Sequence, residues 1–321
     1  MLPDTWYTAP PEWSLYIVPY FFIGGIAGGS YFIAAALHWL GRPQDRPVVR
    51  IGYIVATLGA MISGLVLIID LHRPLRFWHM LFQSERLPLP MFKPWSPMSI
   101  GSWALFFFGA IATLSAIGVL ADMGRIRWRG LRFLYDSPFG KALALAGAAF
   151  GFFVASYTGV LLAVTNRPIW ADTQFLGVLF ITSAASTAAA TLILLALWKR
   201  TADVGSATLE FLTWFDGWAL ILELVVLIFF LISLGSVASV WLSWRGVILL
   251  LFVVILGILV PLTMHLRPNL LGARWGENRI AIGAVLVLIG GFALRLILLI
   301  GSETIQGPHS GVQMTSTLPW P

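Results

Sequence analysis

Apolar residues run almost without interruption through eight stretches, approximately residues 14–40, 49–70, 99–121, 141–165, 174–198, 214–234, 243–265 and 280–301, and polar residues collect between them. Each stretch reaches the roughly 20 residues that a helix needs to cross about 30 Å of hydrocarbon. Backbone polar groups find partners in lipid only within helices or a closed barrel, and continuous apolar runs lack the alternation of barrel strands. The pattern therefore predicts an all-α integral membrane fold of eight transmembrane helices. Its least marked boundary is the sixth to seventh, where 233–243 is only mildly polar and Trp241 and Trp244 fit either depth.

Composition agrees with the pattern. The protein is 59% hydrophobic and 11% charged, with a mean hydropathy of +0.88, whereas a soluble protein has about 25% charged residues. In such a sequence the net charge of +6 speaks to orientation and implies no nucleic-acid partner. The loops after the first, third, fifth and seventh spans hold thirteen Lys and Arg, among them Arg42, Arg46, Arg132 and Lys141. Those on the other side hold six, among them Arg73, Arg76 and Arg167. The bias predicts odd loops in the cytoplasm and both termini extracytoplasmic. Residues 1–12 carry Asp4, Pro10, Pro11 and Glu12 and no basic residue. They do not read as a cleaved signal peptide, so the first span is expected to be retained.

We expect one transmembrane domain over 1–321, with a long outer loop at 72–97 and an extracytoplasmic tail at 302–321. The loop is rich in Pro, Arg, Trp and Phe, and its length suits docking of an external partner. Trp and Tyr gather near span ends, at Trp13, Tyr16, Trp39, Trp78, Trp95, Trp170, Trp198 and Trp214, as an interfacial belt does. Gly24 with Gly28, Gly25 with Gly29 and Gly147 with Gly151 stand four apart, the spacing of close helix contacts.

The sequence has no cysteine, which leaves any iron-sulfur cluster or covalently attached haem to a partner. None of the five histidines falls mid-span. His38 and His265, at cytoplasmic helix ends, are one conceivable haem pair, and two stacked haems have too few ligands. Few ionisable groups lie at membrane depth. Glu223 is placed near the midplane of the sixth span and Arg295 in the outer half of the eighth. Asp70 closes the second span, and Asp216 and Asp122 are expected near the cytoplasmic surface. Such groups suggest a proton path through Asp216, Glu223 and Arg295, or else a structural Glu223 to Arg295 pair between helices. Tyr157 in the fourth span and Tyr20 in the first lie toward the outer leaflet. A phenol inside an apolar helix needs a partner, and a quinone or quinol oxygen would serve.

The chain resembles the NrfD/PsrC type of integral membrane subunit, the polysulfide reductase and formate-dependent nitrite reductase family, over nearly its whole length. The likeness rests first on Tyr20, Phe21, Phe22, Ile23, Gly24, Gly25, Ile26, Ala27, Gly28 and Gly29. It continues in Asp70, Leu71, His72, Arg73, Pro74, Leu75, Arg76, Phe77 and Trp78, and in Ser96, Pro97, Met98, Ser99, Gly101, Ser102 and Trp103. Further matches are Ser156, Tyr157, Thr158 and Gly159, and Gly290, Gly291, Phe292, Ala293, Leu294 and Arg295. The resemblance implies a haem-free quinone-binding subunit (menaquinone or ubiquinone) built as two four-helix bundles. It also implies a place in the cytoplasmic (inner) membrane of a bacterium or archaeon and an extracytoplasmic four-cluster-type iron-sulfur subunit as partner, serving a molybdopterin or multihaem catalytic subunit. In that family a helix-4 Tyr and a helix-1 polar residue, often His, meet the quinone. Tyr157 matches the first and Tyr20 stands at the second, keeping a donor and removing an imidazole.

The expected function is thus that of a quinone-reactive membrane anchor in a respiratory oxidoreductase complex. Tyr20 and Tyr157 would bind the head group, and Asp70 would relay a proton. Arg73 and Arg76 would shape the pocket or the docking surface. The rival readings are a secondary transporter, against which no convincing inverted repeat is visible, and a passive anchor without quinone.

Overall fold

A computed structural model of the protein describes residues 16–71, 73–198, 204–266 and 276–303. The expectations for the amino terminus, His72 and the 304–321 part of the tail lie outside them. Eight helices long and apolar enough to cross a membrane appear in sequence order. They are α1 (Ile17–Leu40), α2 (Arg46–Asp70), α3 (Pro97–Asp122) and α4 (Pro138–Ala163), then α5 (Leu176–Trp198), α6 (Ser206–Ser233), α7 (Trp244–Leu266) and α8 (Gly276–Glu303). Among the described residues there is no strand, only one isolated bridge between Phe82 and Pro90.

Local chemistry sets where several helices begin. Pro97 and Pro138 each open a helix behind a serine cap: Ser96 accepts from the Ser99 amide at 3.4 Å and Ser137 from the Gly140 amide at 3.0 Å. Proline loses nothing there, because a first-turn N–H has no helical partner to give up. The helix α6 starts eight residues before the apolar run, since Thr208 is buried and donates to the Asp45 carboxylate at 2.6 Å. The uncertain sixth boundary is a 3-10 stretch, Gly235–Leu242, entered through Gly235 at φ 54°. Within α7, Leu249–Leu259 winds as a π-helix.

Packing divides the spans into two rings. In the first, α1 meets α2, α2 meets α3, α3 meets α4 and α4 returns to α1; α5 to α8 repeat the same order. The rings meet along α1 and α5, with α4 against α5 and α8 against α1 completing the seam. Glycine makes the approach possible, as expected from its spacing. A Cβ on Gly28 would stand 2.3 Å from the Gly151 carbonyl oxygen of α4, and one on Gly290 would stand 2.4 Å from the Gly257 backbone. Without side chains there, dispersion contacts form between backbones.

Antiparallel succession puts the last turns of α1, α3, α5 and α7 at one end, here called the basic end. Asp122, almost fully buried, takes Arg50 at 2.6 Å and Arg132 at 2.8 Å there and ties α2 and α3 to the α3–α4 connection. The bond to Asp122 holds the Arg132 guanidinium more firmly in its charged form. The other end carries the start of α1, the ends of α2 and α4, and the segment 73–96.

Candidate functional site

At the end opposite the basic loops, α1 to α4 converge on two tyrosines. Tyr157 is 7% exposed, lies stacked on Phe153 with centroids 5.5 Å apart, and donates its hydroxyl to the Pro97 carbonyl at 2.5 Å. Its ring fits because position 101 of α3 is glycine: a Cβ there would stand 2.2 Å from the ring carbon that bears the hydroxyl. Tyr20 is 4% exposed and packs at a tilt on Phe21, and its hydroxyl meets no hydrogen-bonding partner among the described residues. The pair lie within electrostatic reach of one another. Beside Tyr20, across Gly24, sits Ser63 of α2, fully buried and with its hydroxyl unpartnered among the described residues. Asp70 follows Ser63 by seven residues, two turns or roughly 10 Å along the same helix face.

This corner brings the hydroxyl of Ser63, buried without a partner among the described residues, together with two phenols, of which Tyr157 donates to Pro97 and keeps its oxygen as an acceptor. An unpaired hydroxyl buried in hydrocarbon costs about 1–3 kcal/mol. A flat, amphipathic molecule with two oxygens would satisfy it, so the residues present fit a quinone head group. The sequence led us to expect a quinone site between α1, α2 and α4. The structure adds α3 through Pro97 and Gly101, and adds Ser63, whose only sequence signal is its two-turn spacing from Asp70.

Arg73 and Arg76 are exposed at the 3-10 turn Pro74–Met80, where Arg76 Nε donates to His79 at 3.3 Å. They stand on the outside of the segment rather than among the tyrosines. The segment itself is fastened down: Trp103 and Ser99 both donate to the Met91 carbonyl, at 3.0 and 3.3 Å. It displays Leu75, Leu87, Phe92 and Trp95 to the surroundings.

The second ring encloses a polar column. Arg295 of α8, 1% exposed, donates to the Phe21 carbonyl of α1 at 3.2 Å, the Gly291 carbonyl at 2.7 Å and the Ser183 hydroxyl of α5 at 3.1 Å. It also lies over the rings of Phe22 and Phe180. One turn along α5, Ser186 donates to Glu223 of α6 at 2.8 Å. Glu223 and Arg295 form no direct ion pair; Ser183 and Ser186 stand between them. The direct pair expected from the sequence as the alternative to a proton path is therefore not formed, and two serine hydroxyls take its place. Two turns from Glu223, Asp216 shares a 2.9 Å contact with His265 of α7, and its second oxygen is buried without a partner among the described residues. Asp216 was expected near the surface. Because α6 begins at Ser206, ten residues of helix precede it, and it is fully buried.

One further sequence expectation changes, and the two histidines weighed as a haem pair can be placed. Trp170 is not part of an interfacial belt: it is buried and donates to the Leu298 carbonyl at 2.8 Å, beside Arg167, which donates to the Ser302 carbonyl at 2.7 Å. His38 and His265 each have other partners, His38 sharing a 3.0 Å contact with Tyr53 and stacking on Tyr135, and His265 holding Asp216. Among the described residues no three His, Asp or Glu side chains gather as a metal site.

The sequence profile of the family described as "Polysulphide reductase, NrfD" matches residues 7–306. A polysulfide reductase chain of Wolinella succinogenes is 24% identical, over 92% of this protein and 95% of its own length. The NrfD homolog of Haemophilus influenzae is 25% identical, over 94% and 97% respectively. A selenate reductase subunit of Mesobacillus selenatarsenatis is 28% identical over a shorter region, 32% of this protein and 21% of that one.

Proposed function

This chain belongs to the polysulphide reductase NrfD family, and from that premise we propose that it is the quinone-reactive membrane subunit of a respiratory oxidoreductase. It is a multi-pass membrane protein of eight apolar helices, and its relatives include proteins named as a chain and a subunit of reductases. The observation that supports the finer reading is the corner between α1 and α4, where the buried Ser63 hydroxyl lacks a partner among the described residues, Tyr20 lies beside it across Gly24 and Tyr157 is braced on Pro97.

A bound quinol supplies two electrons and two protons. The protein's own residues do the rest. With its proton committed to Pro97, Tyr157 presents its oxygen as an acceptor for a quinol hydroxyl. Tyr20 has its proton free to donate to a carbonyl, and Ser63 can do either. Asp70, at the end of α2, is the nearest acid on the same helix face and takes the proton role. The sequence holds no thiolate to carry a cluster, so electrons pass to or from an external iron-sulfur subunit, itself serving a molybdopterin or multihaem catalytic subunit. The segment 73–96, with exposed Arg73, Arg76 and Trp95, is the surface on which that partner docks. The Arg295, Ser183, Ser186, Glu223 and Asp216 column is a proton path from the basic end toward Phe21 and the pocket.

The test uses the complex purified in mild detergent. Solvent extraction should recover quinone, together with the absorbance of a co-purifying iron-sulfur subunit. Tyr157→Phe and Tyr20→Phe should each weaken quinol-dependent turnover about fivefold, the worth of one ~1 kcal/mol hydrogen bond, with helical content unchanged. Unaltered quinol kinetics in both variants would remove the assignment, and a protein that works alone as a carrier would support a transporter instead.

A further inference from the structure

The basic end holds a cavity unrelated to the tyrosine corner. It occupies about 340 Å³ where the end of α1, the turn Pro43–Asp45 and the starts of α2 and α4 meet, and it is lined by Arg42, Arg46, Lys141, His38, Tyr135 and Asp136. Three cations face it against one carboxylate. That carboxylate, Asp136, lies 3.7 Å from Arg46, a long contact between two exposed groups, so it leaves most of the positive field standing. The guanidinium of Arg42 and the ammonium of Lys141 meet no carboxylate among the described residues. The nearby Asp45 is turned inward, accepting from the Arg42 amide at 2.7 Å and from Thr208.

The surroundings fix what kind of anion fits. Lys141 is held at the apolar boundary by Trp39: the indole N–H donates to the Lys141 carbonyl at 2.9 Å, and the ammonium lies 5.8 Å from the ring centre. Trp39 and Leu40 are exposed apolar side chains that stand in sequence between His38 and Gly41, two residues of the cavity lining. One wall is thus cationic and the adjoining surface is greasy, with an interfacial tryptophan setting the depth. At the back, His38 is locked between Tyr53 and the face of Tyr135, whose ring stacks 4.6 Å away. Burial raises the Tyr135 phenol to about 12, so it stays a neutral donor at any physiological pH.

We propose that this cavity is a phosphate-binding site whose occupant is the headgroup of an anionic phospholipid, with Arg42 and Lys141 as its principal contacts and the acyl chains running down beside Trp39 and Leu40. Basic recesses between transmembrane helices have the right chemistry for such headgroups. The site is separate from quinone chemistry and stands whether or not that reading holds.

Native mass spectrometry of the purified complex, delipidated and then mixed with phosphatidylglycerol, cardiolipin or phosphatidylcholine, tests it. The wild-type protein should retain the two anionic lipids over phosphatidylcholine. R42Q/K141Q should bind them about thirtyfold more weakly, as expected from roughly 1 kcal/mol for each cation removed. R129Q, which removes a cation of the same end outside the cavity, should bind as the wild type does. Equal retention by wild type and R42Q/K141Q overturns the proposal. So does an equal loss in R129Q, which would mean diffuse attraction. A second arm titrates inorganic phosphate against bound lipid: displacement at low millimolar concentration would identify free phosphate as the occupant and overturn the lipid assignment.

Discussion

At the scale of single residues, the seat of the Tyr157 ring depends on one missing side chain. Gly101→Ala would drive a methyl into the Tyr157 ring, and the ring rather than the helix backbone is the part able to move. We expect a destabilisation of about 1–3 kcal/mol, typical of an overpacked site, with the loss of quinol turnover exceeding it. Thermal unfolding and steady-state kinetics on one preparation separate the two effects. Glu223→Gln keeps the shape of the Ser186 contact and removes the exchangeable carboxyl proton. Proton uptake by vesicles containing the complex should slow on the order of a hundredfold, while quinone stays bound; unchanged uptake would make Glu223 structural. Tyr20, Tyr157, Glu223 and Arg295 were all legible in the sequence, because an ionisable or phenolic group in an apolar run is conspicuous. Ser63 and Ser183 were not, because serine is too common in membrane helices to stand out until its partners are located. Trp170 misled for the opposite reason: its composition is that of a belt residue, and only the Leu298 carbonyl explains its burial.

At the scale of helices, the four-residue glycine spacing identified the contact faces before any packing was known. Its energetic content is position-specific. Gly28→Ala places a Cβ 2.3 Å from a backbone oxygen that cannot rotate away, so α1 and α4 must separate and the unfolding temperature of the complex in detergent should fall. Gly109→Ala in α3 meets nothing within 4 Å and should instead stabilise by about 0.5–1 kcal/mol, the usual gain of alanine over glycine in a helix. A fall in both variants would show that small size, not close approach, is what matters. Span existence was readable from hydropathy because the lipid requirement is severe. The start of α6 was not, since the apolar run begins only at Trp214 and the turns before it are anchored by Thr208, which is drawn to Asp45.

For the whole molecule, the two rings share one contact order, and the candidate residues are divided between them: the tyrosine corner in the first, the Arg295, Glu223 and Asp216 column with its serines in the second. The resemblance to the family anticipated two bundles, whereas composition alone would have stopped at eight spans. The exposed arginines of the 73–96 segment make a specific claim about assembly. Replacing Arg73 and Arg76 by Gln should slow association with the extracytoplasmic partner and flatten its dependence on ionic strength, while leaving dissociation nearly unchanged, because rim charges steer encounter. Surface binding kinetics over a salt series would check it, and an unaltered salt slope would place the docking surface elsewhere. The bond from Tyr157 to Pro97 gives that interface a second meaning. Pro97 is the residue into which the segment 73–96 leads, so a pocket hydroxyl and the outer surface hang on one backbone unit. Thermodynamic linkage then requires reciprocity: whatever factor a docked partner applies to quinol affinity, quinol applies in equal measure to the partner. If the proposed quinol site and docking surface both hold, such an assembly would sense the redox state of the membrane pool through how tightly it holds together.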